Sequence, residues 1–131
     1  MSASAGEIDA LVADACAVYP STQRCSAGGC ELPACAVVIF VAAWSGPARA
    51  ALTFVARTLR DADARVPLLV VDHDVPSAPV VKLLGDPQHG WGETAWVRDG
   101  RVLARVERWR WTADEAALIV EHAARITAPF G

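Results

Sequence analysis

The chain has 131 residues, 53% hydrophobic and 21% charged, enough for one ordinary domain with a real core and too apolar for intrinsic disorder. A net charge of −3 argues against a general nucleic-acid surface. The longest apolar run, Ala34 to Trp44, falls short of the roughly 18 residues of a membrane span, and Met1 to Glu7 lacks the basic start and apolar stretch of a secretory signal. The expectation is a cytoplasmic protein with neither a nucleic-acid nor a membrane partner. Lys82 is the only lysine, a bias that fits a GC-rich bacterial genome.

Ser4 and Glu7 have capping-box spacing, and Ile8, Leu11, Val12, Ala15, Cys16 and Tyr19 follow helical periodicity as far as Pro20. Residues Pro20 to Pro33, rich in Ser, Gly, Cys and Pro, read as a loop. Ala36 to Ala43 is a continuous β-branched run, expected to be a central strand covered on both faces. Pro47 suits the first turn of a helix running to Arg60, with Ala48, Ala51, Leu52, Val55, Ala56 and Leu59 facing inward. Val66 to Val71 is a second buried strand, ending in the loop Asp72-His73-Asp74-Val75-Pro76. Ser77 caps a short helix over Ala78 to Leu84, stopped by Gly85. Glu93 to Arg98 and Arg101 to Trp109 form a hairpin around Asp99-Gly100. Thr112 and Glu115 form a capping box for a last helix, Ala113 to Thr127, burying Ala116, Ile119, Val120, Ala123 and Ile126. The organisation is a single domain, 1–131, with a helix and cysteine-containing loop over 1–35 and a core over 36–127. The β-α-β unit requires a right-handed crossover and a parallel first pair of strands.

The cysteines, Cys16, Cys25, Cys30 and Cys35, are spaced C-x8-C-x4-C-x4-C. Three readings stay open. A zinc or iron–sulfur site could use all four, although the spacing matches neither pattern well. A Cys25–Cys30 or Cys30–Cys35 disulfide could close over pliable Gly28 and Gly29. Free thiols are favoured, since a cytosolic chain keeps its thiols reduced.

The element order, with Trp44-Ser45-Gly46-Pro47-Ala48-Arg49 between the first strand and its helix, resembles the thioredoxin family and its W-C-G-P-C-K signature. The resemblance runs from Ala36 to Ile126. It implies a thioredoxin-like α/β fold: a mixed four-stranded sheet in the order 2-1-3-4, flanked by helices. An extra helix stands at the N-terminus in place of the family's edge strand. Against that pattern both redox cysteines are replaced, by Ser45 and Ala48. Ile39 stands for the family's buried Asp, Leu69 for its Lys, and Gly92 or Glu93 for its cis-proline. A hydroxyl cannot form the disulfide that thiol exchange needs.

The implied function is a redox-inactive, protein-binding, chaperone-like or accessory subunit with no cofactor. It would use Trp44, Ser45, Gly46, Pro47, Val75, Pro76, Trp91, Gly92 and Glu93 to dock an extended partner segment, with backbone hydrogen bonds at Gly92. The alternative is a thiol-disulfide oxidoreductase with relocated thiols, Cys25, Cys30 and Cys35. An eight-residue strand spans about 26 Å, so Cys35 cannot act at Ser45, and such chemistry is expected at the opposite end of the sheet. Trp91 reads equally as an interface anchor or a core edge, and Trp96 as core. Trp109 and Trp111 either pack under the last helix or form a second aromatic patch. Ser45 has no visible base partner. Asp72, His73, Asp74 and His89 read as solvated loops and His122 as a surface position. Arg98, Arg101, Arg105, Arg108 and Arg110 make a basic run, with Arg101 and Arg105 on one face.

Overall fold

The computed structural model describes residues 3–25 and 32–129. A run that is apolar at every position must be covered on both sides, and Cys35–Val41 (β2) meets that demand at the centre of a five-stranded sheet. The elements in chain order are α1 (Ala3–Val18), β1 (Thr22–Cys25), β2, α2 (Gly46–Asp61), β3 (Leu68–Asp72), α3 (Ala78–Leu84), β4 (Thr94–Arg98), β5 (Arg101–Val106) and α4 (Ala113–Thr127). The sheet order is β1-β3-β2-β4-β5. Strands β1, β3 and β2 run parallel, while β4 is antiparallel to β2 and β5 antiparallel to β4.

The four expected strands pair in the expected order. The correction is at the edge: Thr22–Cys25, expected within a loop, pairs with Leu68 to Val71 as a fifth strand. The edge strand is therefore present but follows α1.

Alternation along β2 divides the core in two. Val37, Ile39 and Val41 point to the side where Ile8 of α1, Leu52 of α2 and Ile119 of α4 pack. Val38 and Phe40 point to the side covered by Val80 and Leu84 of α3. All six inward positions expected on α2 are buried. On α4, Ile119, Ala123 and Ile126 are buried, but Val120 is exposed, because spacings of four and three residues set the face. His122, expected at the surface, is half-buried with its ring 5.0 Å from Trp96. Helix α1 starts one residue ahead of the expected Ser4 cap. Strand β5 ends at Val106 rather than Trp109. The Thr112–Glu115 capping box forms as expected. Asp99 and Gly100 both have positive φ, 50° and 75°, which gives the tight hairpin its type I′ twist.

Tyr19 closes the far side of the core. Its hydroxyl donates to the carbonyls of Ala64 and Val66, and burial raises its pKa above the ordinary tyrosine value. Among the described residues no helix is long and apolar enough to cross a membrane.

Candidate functional site

Parallel strands deliver their following loops to one end of the sheet. The turn after β2 and the loop after β3 therefore meet, and the antiparallel β4 brings the loop before it to the same place. Ser45 is the N-cap of α2, with φ −105° and ψ 116°. Its hydroxyl accepts from the Ala48 amide at 3.2 Å and donates to the Gly90 carbonyl at 2.5 Å. It is 6% exposed, so it ties two loops together and offers nothing outward. Its neighbour Trp44 is 63% exposed. The indole N–H donates to both Asp74 carboxylate oxygens, at 3.1 and 3.2 Å, and the ring meets His73 edge-on at 5.6 Å. Asp72, read as part of a solvated loop, is instead buried and accepts from the Asp74 amide.

Residues 86–93 hold their shape with Gly92 and Glu93 where the resemblance expects a cis-proline, and no cis peptide occurs among the described residues. The Glu93 carboxylate is buried and accepts from three backbone amides, those of Gln88, His89 and Trp91. Such bonds to a carboxylate are the stronger kind. The Gly92 carbonyl accepts from the Thr94 hydroxyl at 2.8 Å and the Trp109 indole at 3.1 Å. Gly92 has φ +80°, and a Cβ there would lie 2.4 Å from the Ala51 Cβ. At Gly90 (φ +69°) a Cβ would lie 2.6 Å from the Trp44 ring. Bare backbone at both positions lets the loop lie against α2 and Trp44.

Trp91 is half-buried. His89 stacks on its ring at 3.9 Å, and the Arg108 guanidinium lies 5.3 Å from its centroid. A third loop, residues 107–112, completes the surroundings. Trp109 is buried, with its ring against Phe54 and Trp96. Trp111 is 44% exposed, edge-on to Phe54 at 5.7 Å, and has φ +63°. Pro47, Trp91, Arg108, Trp109 and Trp111 enclose a cleft of about 170 Å³.

Of the nine residues expected to dock a partner, Trp44, Gly46, Pro47 and Val75 are exposed and Pro76 and Trp91 half-buried. Ser45, Gly92 and Glu93 are buried and shape the loops from beneath. Sequence reasoning did not place residues 108–111 or Phe54 at this site. The alternating Arg108-Trp109-Arg110-Trp111 was the available signal, but nothing in it revealed the left-handed backbone at Trp111.

The cysteines do not gather. Cys16 and Cys35 are free, and the Cys35 thiol donates to the Ile126 carbonyl. Cys25 is disulfide-bonded, which corrects the free-thiol reading there and removes it as a thiolate ligand. Cys30 lies outside the described residues. No three metal-ligating side chains cluster among the described residues. Because β1 is parallel to β3, with Cys25 level with Val71, Cys25 sits at the same end of the sheet as Trp44, whereas Cys35 begins β2 at the other end. This corrects the expectation that relocated chemistry would lie opposite Ser45.

Neither a family model nor a curated protein sequence matches the chain. Solved structures do. A mutant thioredoxin from Halobacterium salinarum NRC-1 superposes with a TM-score of 0.60 at 18% identity, covering 86% of this chain and 97% of that one. A thioredoxin from Malassezia sympodialis superposes with a TM-score of 0.54 at 20% identity, covering 70% and 76% respectively. The strand order, the helices on both sheet faces and these superpositions together establish that the chain has a thioredoxin-like fold.

Proposed function

We propose that this chain is a redox-inactive thioredoxin-fold protein that binds another protein, as a chaperone-like or accessory subunit, through the face around Trp44 and Trp91. The observation that carries this reading is the contrast at the start of α2. Ser45 is buried with its hydroxyl engaged on both sides, and Ala48 brings no reactive group, while Trp44 stands 63% exposed in a fixed orientation. A large ring held in place loses little entropy on binding and buries a large area, the profile of an interface anchor. Exposed Pro47 and Val75 and half-buried Trp91 extend the apolar surface of this end of the sheet. Backbone pairing of a partner at Gly92 is not supported, since that residue is buried and its carbonyl already has two donors.

The test is capture of partner protein by the purified chain, with Trp44→Ala and Trp91→Ala compared after circular dichroism shows both folded. Each variant is expected to lose at least about tenfold in capture. Unchanged capture by both would overturn the reading. An insulin-reduction assay on the unaltered chain is expected to give no activity.

A second reading is favoured by one observation, the disulfide at Cys25 at the Trp44 end of the sheet. In that reading the chain is a thiol-disulfide oxidoreductase working through Cys25 and the neighbouring cysteines. Cys25 is only 2% exposed, and exchange there requires the edge to open. Reductase activity that falls in Cys25→Ser and Cys30→Ser variants would establish it; activity indifferent to both would exclude it.

A further inference from the structure

We propose that the cleft between Trp91 and Trp111 binds a proline-rich segment of a partner protein, flanked by acidic residues. This rests on the reading of the face as protein-binding and names the chemistry of the bound segment.

Size narrows the occupant first. The cleft of about 170 Å³ is well below the roughly 300–1,000 Å³ of a cofactor or drug-sized site. It has room for one or two small rings, and not for the face of a helix. Beside the Arg108 side chain its walls are the indole rings of Trp91, Trp109 and Trp111 and the Pro47 ring, flat apolar surfaces of the kind that prolyl rings pack against.

Hydrogen bonding narrows it further. The indole N–H groups of Trp44 and Trp109 are engaged, on Asp74 and on Gly92 with Thr94. Those of Trp91 and Trp111 have no acceptor among the described residues. A polyproline helix makes no internal hydrogen bonds and presents its carbonyls outward. Two unengaged donors beside apolar walls suit such a backbone. They suit an added β-strand less, because the Gly92 carbonyl that would pair with it is already occupied twice.

Charge sets the flanks. Arg108 and Arg110 are both exposed, and neither pairs with a carboxylate among the described residues. Arg108 lies over the Trp91 ring at the rim of the cleft. An acidic residue next to the proline run would meet an unpaired guanidinium there, at an exposed rim where its main effects are on orientation and association rate.

Backbone strain gives an independent pointer. Trp111 has φ +63°, a conformation that costs a bulky residue roughly 1–3 kcal/mol. It is clamped from both sides: the Glu115 carboxylate accepts from the Arg110 amide at 2.8 Å and the Thr112 amide at 3.0 Å. The clamp fixes the Trp111 ring against Phe54 at the mouth of the cleft while leaving 44% of it exposed.

The probe is a fluorescein-labelled peptide of six prolines with two glutamates at each end, titrated with the full chain and read by fluorescence anisotropy. Controls carry alanine for proline or lysine for glutamate. Saturable binding below about 1 mM is expected. It should weaken about tenfold in Trp111→Ala and severalfold in Arg108→Gln, and about tenfold for each control peptide. Leu118→Ala, on the exposed side of α4, should bind like the unaltered chain. Absence of saturable binding overturns the proposal, as does equal binding by folded Trp111→Ala or by the lysine-flanked peptide. If the peptide fails while partner capture still depends on Trp44 and Trp91, only the assignment of the segment falls. If peptide binding depends on Trp111 while capture ignores Trp44, the cleft stands and the wider face falls.

Discussion

Two loops flank Trp91, and each presents an exposed tryptophan by a different physical route. The turn at Trp44 is relaxed and its polar groups are engaged: Ser45 caps α2 in an extended conformation and Asp74 takes the Trp44 indole N–H. The loop at Trp111 is strained, and although Glu115 takes its Arg110 and Thr112 amides, some of its side-chain donors stand open. Its tryptophan sits at φ +63°, its indole N–H has no acceptor, and Arg108 and Arg110 lack carboxylate partners among the described residues. Exposure alone would rank Trp44 first, at 63% against 44%. On the proposed protein-binding reading, unsatisfied donors and stored strain favour Trp111 for recognition and leave Trp44 as an apolar anchor.

Gly92 joins the two loops, and changing it should have the largest effect. In Gly92→Ala a Cβ would meet the Ala51 Cβ at 2.4 Å, with φ at +80°. Overpacking costs roughly 1–3 kcal/mol and the left-handed backbone roughly 1–2 more. A loss of about 3 kcal/mol, or roughly 10 °C in Tm, is expected in a thermal melt. A melt within about 2 °C of the unaltered chain would mean that the loops are not locked together at this residue.

Ser45→Ala comes next and acts on the relaxed loop. It removes the α2 cap, worth about 1 kcal/mol, and leaves the Gly90 carbonyl without its hydroxyl donor, at a cost of roughly 1–3 kcal/mol. Together with some relaxation this predicts about 2 kcal/mol by denaturant unfolding. Peptide affinity at the Trp111 cleft should change far less than stability does. A parallel loss of both would collapse the distinction between the loops.

The two loops also differed in how far they could be read from sequence. Trp44 to Arg49 was legible because Pro47 in a first helical turn, after a β-branched run, fixes strand, turn and helix in order. The α2 face was legible from its period, and the β4–β5 hairpin from Asp99-Gly100, the residues a type I′ turn demands. Strand β1 was not: Thr-Gln-Arg-Cys is short and polar at its centre, and only its pairing with β3 makes it a strand. The role of Glu93 was hidden too, because a carboxylate gathering three amides of its own loop leaves no periodic mark. Residues 107–109 read as a continuation of β5 because alternating Arg and Trp imitates a strand pattern, whereas the strand ends at Val106 and the backbone turns left-handed at Trp111.

Glu115→Ala acts on the strained loop. It removes half of the α4 capping box and releases the amides of Arg110 and Thr112. About 1 kcal/mol of stability should be lost. Peptide affinity should fall severalfold although Glu115 does not line the cleft. This is the reverse of the Ser45→Ala outcome, and the pair of variants measures how independent the loops are.

The smallest effect is the most specific. Glycine is ordinarily less stable than alanine in a folded chain by roughly 0.5–1 kcal/mol, because it loses more backbone freedom. At position 111 the order should invert. Trp111→Ala and Trp111→Gly both lose the ring contact with Phe54, so their difference isolates the backbone. With φ at +63°, alanine keeps the left-handed penalty and glycine escapes it, which after glycine's own entropy cost makes Trp111→Gly more stable by roughly 0.5 kcal/mol. Both variants should bind the proline-rich peptide equally poorly. If alanine proves the more stable, the loop relaxes without cost once the ring is gone. Trp111 would then stand where it does through its packing on Phe54 alone, and strain would no longer set the two loops apart.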